Sequence, residues 1–203
     1  MRLSIFWRIV LTSFLIIVVM AGVNFYALFQ LRQLSALSTK LASQHYPAIE
    51  LAKHVLTTAY EQLNSEKKYL AVHDPTFLQH FDEEVEEFHR GVESLLRQET
   101  YPAGRQLLEQ ARRYQQERLI LFHTELENVP ATPGALSPDY ENRRNAVMDQ
   151  MTTTLERYVG FHEAAISAGV SRSRESSAQA EAVTEQLVLL ALVFGIGLAG
   201  IAS

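Results

Sequence analysis

IELAKHVLTTAYEQLNSEKKYLAVHDP, residues 49–75, decides the fold. Its apolar positions Ile49, Ala52, Leu56, Ala59, Leu63 and Leu70 recur at steps of three and four, with one gap of seven. Such spacing lines one face of an α-helix. His73-Asp74-Pro75 then stops it, because Asp caps a new helix and Pro suits its first turn. Further along, Phe81, Val85, Phe88, Val92 and Leu95 repeat the period. Leu108, Ala111, Leu119, Phe122 and Leu126 follow it more loosely. Val147, Met151, Leu155, Tyr158, Phe161 and Ala165 complete a fourth seam. No stretch alternates with period two, as a half-buried strand would.

These seams predict an all-α chain, an elongated antiparallel four-helix bundle with left-handed packing. The helices are expected at 8–72, 75–99, 102–128 and 138–202. Tyr101-Pro102-Ala103-Gly104 reads as a tight turn, and 128–138, with three prolines and a glycine, as the one long loop. At about 1.5 Å per residue the middle two helices are about 40 Å long. They therefore form a short hairpin beside only the membrane-distal part of the long first and fourth helices. Pro47 falls where that hairpin should end, so a kink is expected there. Beyond it, the Ala-, Ser- and Gly-rich stretch 164–182 suits a closely packed two-helix stalk.

Charge is distributed unevenly along the 203 residues, which carry a net −5. Residues 9–31 and 187–203 contain no Asp, Glu, Lys or Arg. All 23 acidic residues and 16 of the 18 basic ones lie between, so the middle carries 16 − 23 = −7. The acidic balance argues against nucleic acid as a partner, since phosphate needs clustered Lys and Arg. The absence of cysteine excludes disulfides, thiolate chemistry and Cys-ligated metal.

The first apolar block is long enough to span a bilayer as a helix. Trp7, Phe25 and Tyr26 sit near its ends, where aromatic rings favour the interface. Arg2 and Arg8 precede it, which places residues 1–8 in the cytoplasm. A cleaved signal peptide is the rival reading. The second block is slightly short, with no positive residue after it, and is expected to be a truncated second span. Ala191, Gly195, Ala199 and Ser203 give it a stripe of small residues at every fourth position, which permits close helix approach. Two spans in a hairpin put residues 32–186 outside the cytoplasm.

An N-terminal anchor, an extracytoplasmic helical bundle and a second span resemble the sensor region of bacterial transmembrane receptors, the sensor histidine kinases and methyl-accepting chemotaxis receptors. Glu66-Lys67-Lys68-Tyr69-Leu70-Ala71-Val72-His73-Asp74-Pro75-Thr76-Phe77-Leu78 is similar to the junction of the first two helices in their four-helix sensor modules. The resemblance implies a multi-pass protein of the bacterial inner membrane. It also implies a homodimer joined through the first and fourth helices, a small-molecule or protein stimulus, and relay by displacement of the fourth helix and second span. A histidine kinase is the expected parent, with a chemotaxis receptor or a ligand-free membrane scaffold as alternatives. No phosphoacceptor-His motif, ATP-binding glycine box or chemoreceptor hairpin lies in these residues, and no cofactor is expected.

Candidate chemistry follows from charge on the seams. Antiparallel pairing of the first and fourth helices brings Glu66 level with Arg144 or its neighbour Arg143. A charge inside a bundle must be paired. The pair is read either as a buried salt bridge that fixes register or as a ligand-recognition site for a small anion or amino acid, with Lys67 and Tyr140 nearby. Pairing of the middle helices brings His80 and Glu84 level with His123, a conceivable divalent-metal set, although solvated surface residues are the simpler reading. The acidic run around Asp82-Glu83-Glu84 reads as a solvated helix face. No Ser/His/Asp arrangement or phosphate loop supports an enzyme.

Overall fold

A computed structural model of the protein describes residues 5–128 and 137–202, with only part of the side chains described in the stretches 5–42 and 187–202. The chain is all-α, and no strand occurs among the described residues. In order come α1 (Ile5–Lys40), a π-helical turn (Leu41–His45), α2 (Tyr46–Val72), α3 (Pro75–Gln98), α4 (Pro102–Asn128) and α5 (Pro138–Ala202). The loop expected over 128–138 falls mainly on residues outside those described.

The helix expected as continuous from 8 to 72 is divided by the π turn, which ends two residues before Pro47. Proline has no N–H to donate to the carbonyl four residues back, and its ring crowds that carbonyl. Widening the turn to the π register relieves both problems without leaving the helix. The expected boundary at 73–75 is present in detail. His73 closes α2 in the left-handed conformation, φ 53°, and its N–H donates to the Tyr69 carbonyl. Asp74 caps α3, its carboxylate accepting from the Thr76 N–H at 2.9 Å, and this bond holds the exposed carboxyl below its ordinary pKa.

Two compact units divide the chain. The first holds Met1–Leu41 with Ser167–Ser203. In it, Ile17–Ala36 is one helix segment long and apolar enough to cross a membrane. Gln30, Leu31 and Leu34 of α1 line an open groove with Ser173, Ser176 and Ala180 of α5. The second expected span, 187–203, is helical to Ala202, but nearly all of its side chains lie outside the described set.

The second unit, Ala42–Ile166, draws its core from four helices. One apolar cluster joins Ala48, Ala52, Val55 and Ala59 of α2 to Phe88, Val92 and Leu95 of α3, Leu108 and Ala111 of α4, and Met151, Leu155 and Tyr158 of α5. A second joins Leu70, Phe81, Phe122 and Tyr140. The end of one helix therefore meets the start of the next, so consecutive helices run antiparallel. Gly91 lets α3 close on α2, since a Cβ there would lie 2.5 Å from Val55 Cγ2. Leu56 and Leu63, expected on the seam, are half-buried, while Val55 and Gln62 are buried. The buried face of α2 is thus turned slightly from the one its leucines suggest.

Candidate functional site

Between the two apolar clusters, every helix of the bundle places polar residues inside. On α2 these are Gln62, Ser65 and Glu66; on α3, the half-buried Glu84; on α4, Gln115 and Arg118; on α5, Arg144. Each falls in its own helix between a residue of one cluster and a residue of the other. The core is therefore apolar, then ionic, then apolar again.

Glu66 is the centre of this layer and has no solvent exposure. Arg118 Nη2 donates to its Oε2 at 2.8 Å, and the Tyr140 hydroxyl donates to its Oε1 at 2.7 Å. Arg144 Nη1 stands 3.6 Å from Oε1, close enough to pair but too far to hydrogen-bond well. Gln62 extends the network by accepting from Arg118 Nη1 at 2.7 Å and from Gln115 Nε2 at 2.8 Å, while its own amide donates to the Glu84 carbonyl at 2.9 Å. Arg144 also reaches Asn145 Oδ1 at 3.1 Å and the more exposed Glu141 at 3.4 Å. The Arg118 guanidinium lies over the Phe81 ring, and that of Arg144 over the Tyr140 ring.

Arg118 and Arg144 share the layer with Glu66 and the half-buried Glu84, so its formal charges balance while its hydrogen bonds do not. Two fully buried guanidiniums face one fully buried carboxylate. Arg118 Nε and Arg144 Nη1 are buried donors without a hydrogen-bond partner, and Gln115 Oε1 and Glu84 Oε2 are buried acceptors without one. Burial pushes the Glu84 carboxyl above its ordinary value, partly offset by the Ser65 hydroxyl that donates to it. Burial also raises the Tyr140 phenol, and the Glu66 charge beside it adds to the effect. A well-paired neutral core would not leave such atoms unsatisfied.

Of the five residues expected at this site, the structure brings together Glu66, Tyr140 and Arg144. Lys67 and Arg143 do not join them. Both are exposed, and Arg143 pairs instead with Asp139, 3.8 Å away on the solvent side. Each is next in sequence to a buried residue, and a step of one residue turns a helix about 100°. Arg118, the strongest partner of Glu66, is absent from the sequence expectation. It could have been found: 108, 111, 115, 118 and 122 step by three and four, so Gln115 and Arg118 occupy seam positions on α4.

The expected metal set is not assembled. His80 is exposed and stands 3.7 Å from Glu83, Glu84 binds Ser65, and the exposed His123 ring bonds the Leu119 carbonyl of its own helix at 2.7 Å. No group of three or more His, Asp or Glu side chains able to hold a metal occurs among the described residues. Level along two helices is not enough; the side chains must also share a face, and these do not.

Comparison with protein-family models, with curated proteins and with solved structures finds no match to this chain.

Proposed function

We propose that this chain is the sensor part of a bacterial transmembrane receptor of the two-component histidine-kinase kind. The observation that carries the reading is the joining of a membrane-length apolar helix segment, Ile17–Ala36, to the bundle through helical turns alone, α1 to π turn to α2. A helix transmits displacement along its axis, whereas a flexible linker absorbs it. In this reading residues 9–31 and 187–203 are the two spans, 32–186 is extracytoplasmic, and the receptor is a homodimer in the inner membrane, joined through its first and last helices.

The ionic layer is the element on which a stimulus would act. Its unpartnered Arg118 and Arg144 donors suit a small anion or a carboxylate, with Glu66 and Tyr140 completing the recognition set. A ligand shifts such a bundle only by its differential affinity for two packings. Unsatisfied buried groups make a second packing accessible, because the first is not fully stabilised.

The test is a chimera in which residues 1–203 replace the sensor of a characterised histidine kinase in a reporter strain. Arg144→Gln and Tyr140→Phe, which leave the Arg118–Glu66 pair in place, are expected to change the basal output several-fold while the protein stays folded in the membrane. Unchanged output from variants at normal membrane abundance would refute the reading.

A further inference from the structure

The unit that holds the membrane-length segment has a groove of its own, between α1 and α5. Its volume is about 380 Å³, within the range that holds a small ligand. From α1 it takes Leu31 and Leu34, which are 61% and 47% exposed. Both fall in the last six residues of Ile17–Ala36, the segment apolar enough to cross a membrane. From α5 it takes Arg172, Ser173, Ser176 and Ser177. One wall therefore carries apolar residues from the end of a membrane-length helix, and the other is cationic and hydroxylic.

Charge separates the two units in the same sense. Met1–Leu41 with Ser167–Ser203 holds six basic and three acidic residues, a net +3, whereas Ala42–Ile166 holds twelve and twenty, a net −8. Arg172 is the only charged residue among the described residues that line the groove. No carboxylate among the described residues pairs with it, and the exposed Glu175 and Glu181 of the same helix stand outside the lining. A guanidinium forks onto a phosphate through two parallel N–H bonds, and serine hydroxyls can donate to the oxygens that remain.

We infer that this groove binds the headgroup of an anionic phospholipid, with the phosphate on Arg172 and its neighbouring serines and the first part of an acyl chain along Leu31 and Leu34. The inference rests on the membrane placement in the sensor reading above. In that placement the leucines lie where hydrocarbon gives way to headgroups, and basic pockets between membrane-spanning helices bind anionic headgroups. A soluble anion would satisfy Arg172 but leave both leucines in water. A second copy of the chain would cover the leucines but bury Arg172 in an interface core, where charged residues are depleted. A lipid meets both needs at once. Bound there, it touches α1 and α5 together, so it stabilises their packing by mass action.

The test uses the full chain in phosphatidylcholine nanodiscs with a rising fraction of phosphatidylglycerol. Native mass spectrometry of the released chain reads which lipid it retains. Selective retention of phosphatidylglycerol is expected, and Arg172→Gln should weaken it about fivefold, the effect of one basic residue at a lipid surface. Arg174→Gln removes the same charge from an exposed position outside the lining, and should change retention less than about twofold. Equal losses from both variants, or no preference over phosphatidylcholine, overturn the inference. Displacement of the lipid by inorganic phosphate assigns the groove to a soluble anion and overturns it as well. Photo-crosslinking from Leu34→benzoylphenylalanine supports it by a lipid adduct and overturns it by an adduct to a second copy. A chain washed from membranes by alkaline carbonate counts against the groove and the sensor reading together. Lipid selectivity that is intact beside a flat reporter chimera keeps the inference and counts against the sensor reading alone.

Discussion

Replacing Glu66 with leucine should be the most damaging single change in the bundle. Leucine has about the same volume, so cavity formation is a minor effect. What is lost is the fully buried carboxylate that faces two fully buried guanidiniums. Removing one partner of a buried ion pair costs about 3–5 kcal/mol. The Tyr140 hydroxyl also loses its 2.7 Å acceptor, which adds about 1–3 kcal/mol. These contributions overlap, because the layer relaxes as a unit, so a loss of about 4–6 kcal/mol is expected. That is a large part of the stability of an ordinary domain. Urea unfolding of the detergent-solubilised chain, followed by helical circular dichroism, measures it. The variant Glu66→Leu/Arg118→Met/Arg144→Met supplies the control. With both guanidiniums removed together with the Glu66 carboxylate, it should recover most of the loss. A loss below about 1 kcal/mol for Glu66→Leu would refute the reasoning, because surface ion pairs behave that way and buried ones do not.

Other predictions come from single contacts. Gly91→Ala forces a methyl group against Val55 and should cost about 1–3 kcal/mol; adding Val55→Ala should restore part of it, and no cost in urea unfolding would contradict the close helix approach. Gly104→Ala displaces the Glu99 carboxylate and should lower the midpoint by a similar amount while shifting the nitrogen resonance of His162, whose Nε2 stands 2.9 Å from that carboxylate. Tyr140 and Tyr158 have phenols raised by burial and by the neighbouring Glu66 and Glu99 carboxylates. A raised pKa stabilises the fold fully below the unfolded tyrosine value of about 10, and stability falls as pH rises above it. Each phenol contributes at most about 1.4 kcal/mol per pH unit. Unfolding between pH 9 and 11 should therefore show a slope that Tyr140→Phe and Tyr158→Phe each reduce. For Glu99, burial raises the carboxyl, but the Tyr101 N–H, Tyr158 and His162 outweigh burial and hold it below its ordinary value. Its contribution is present above the ordinary glutamate value of 4.5 and is lost as pH falls below it, so Glu99→Gln should flatten the acid limb of the same curve.

The helices were legible because each carries its own signals. Pro75, Pro102 and Pro138 each open a helix where the sequence places one, and the caps around Asp74 need only neighbouring residues. Register was legible through Glu66 and Arg144, since antiparallel pairing fixes which residues share a level. Partner choice was not. Arg118 competes with Arg144 for the same carboxylate, and which wins depends on how α4 is rotated about its axis. The pair formed by His45 and His162, whose Nδ1 atoms are 2.9 Å apart, was hidden for another reason. His45 precedes the first recognised seam position, and His162 follows Phe161, which looked like the buried residue. Phe161 is half-buried and His162 buried, so the buried face of α5 is turned from the one its apolar residues suggest. A π turn has no strong sequence signal beyond the proline that follows it.

The proposed signalling across the bilayer requires the bundle to lie outside the cytoplasm. The chain contains no cysteine, so single cysteines report without background. Leu3→Cys and Ala103→Cys, expressed separately, can be exposed to a membrane-impermeant maleimide in intact spheroplasts and again after permeabilisation. Immediate labelling at 103, and labelling at 3 only after permeabilisation, is the expected result. Protection of 103 in intact spheroplasts would contradict it.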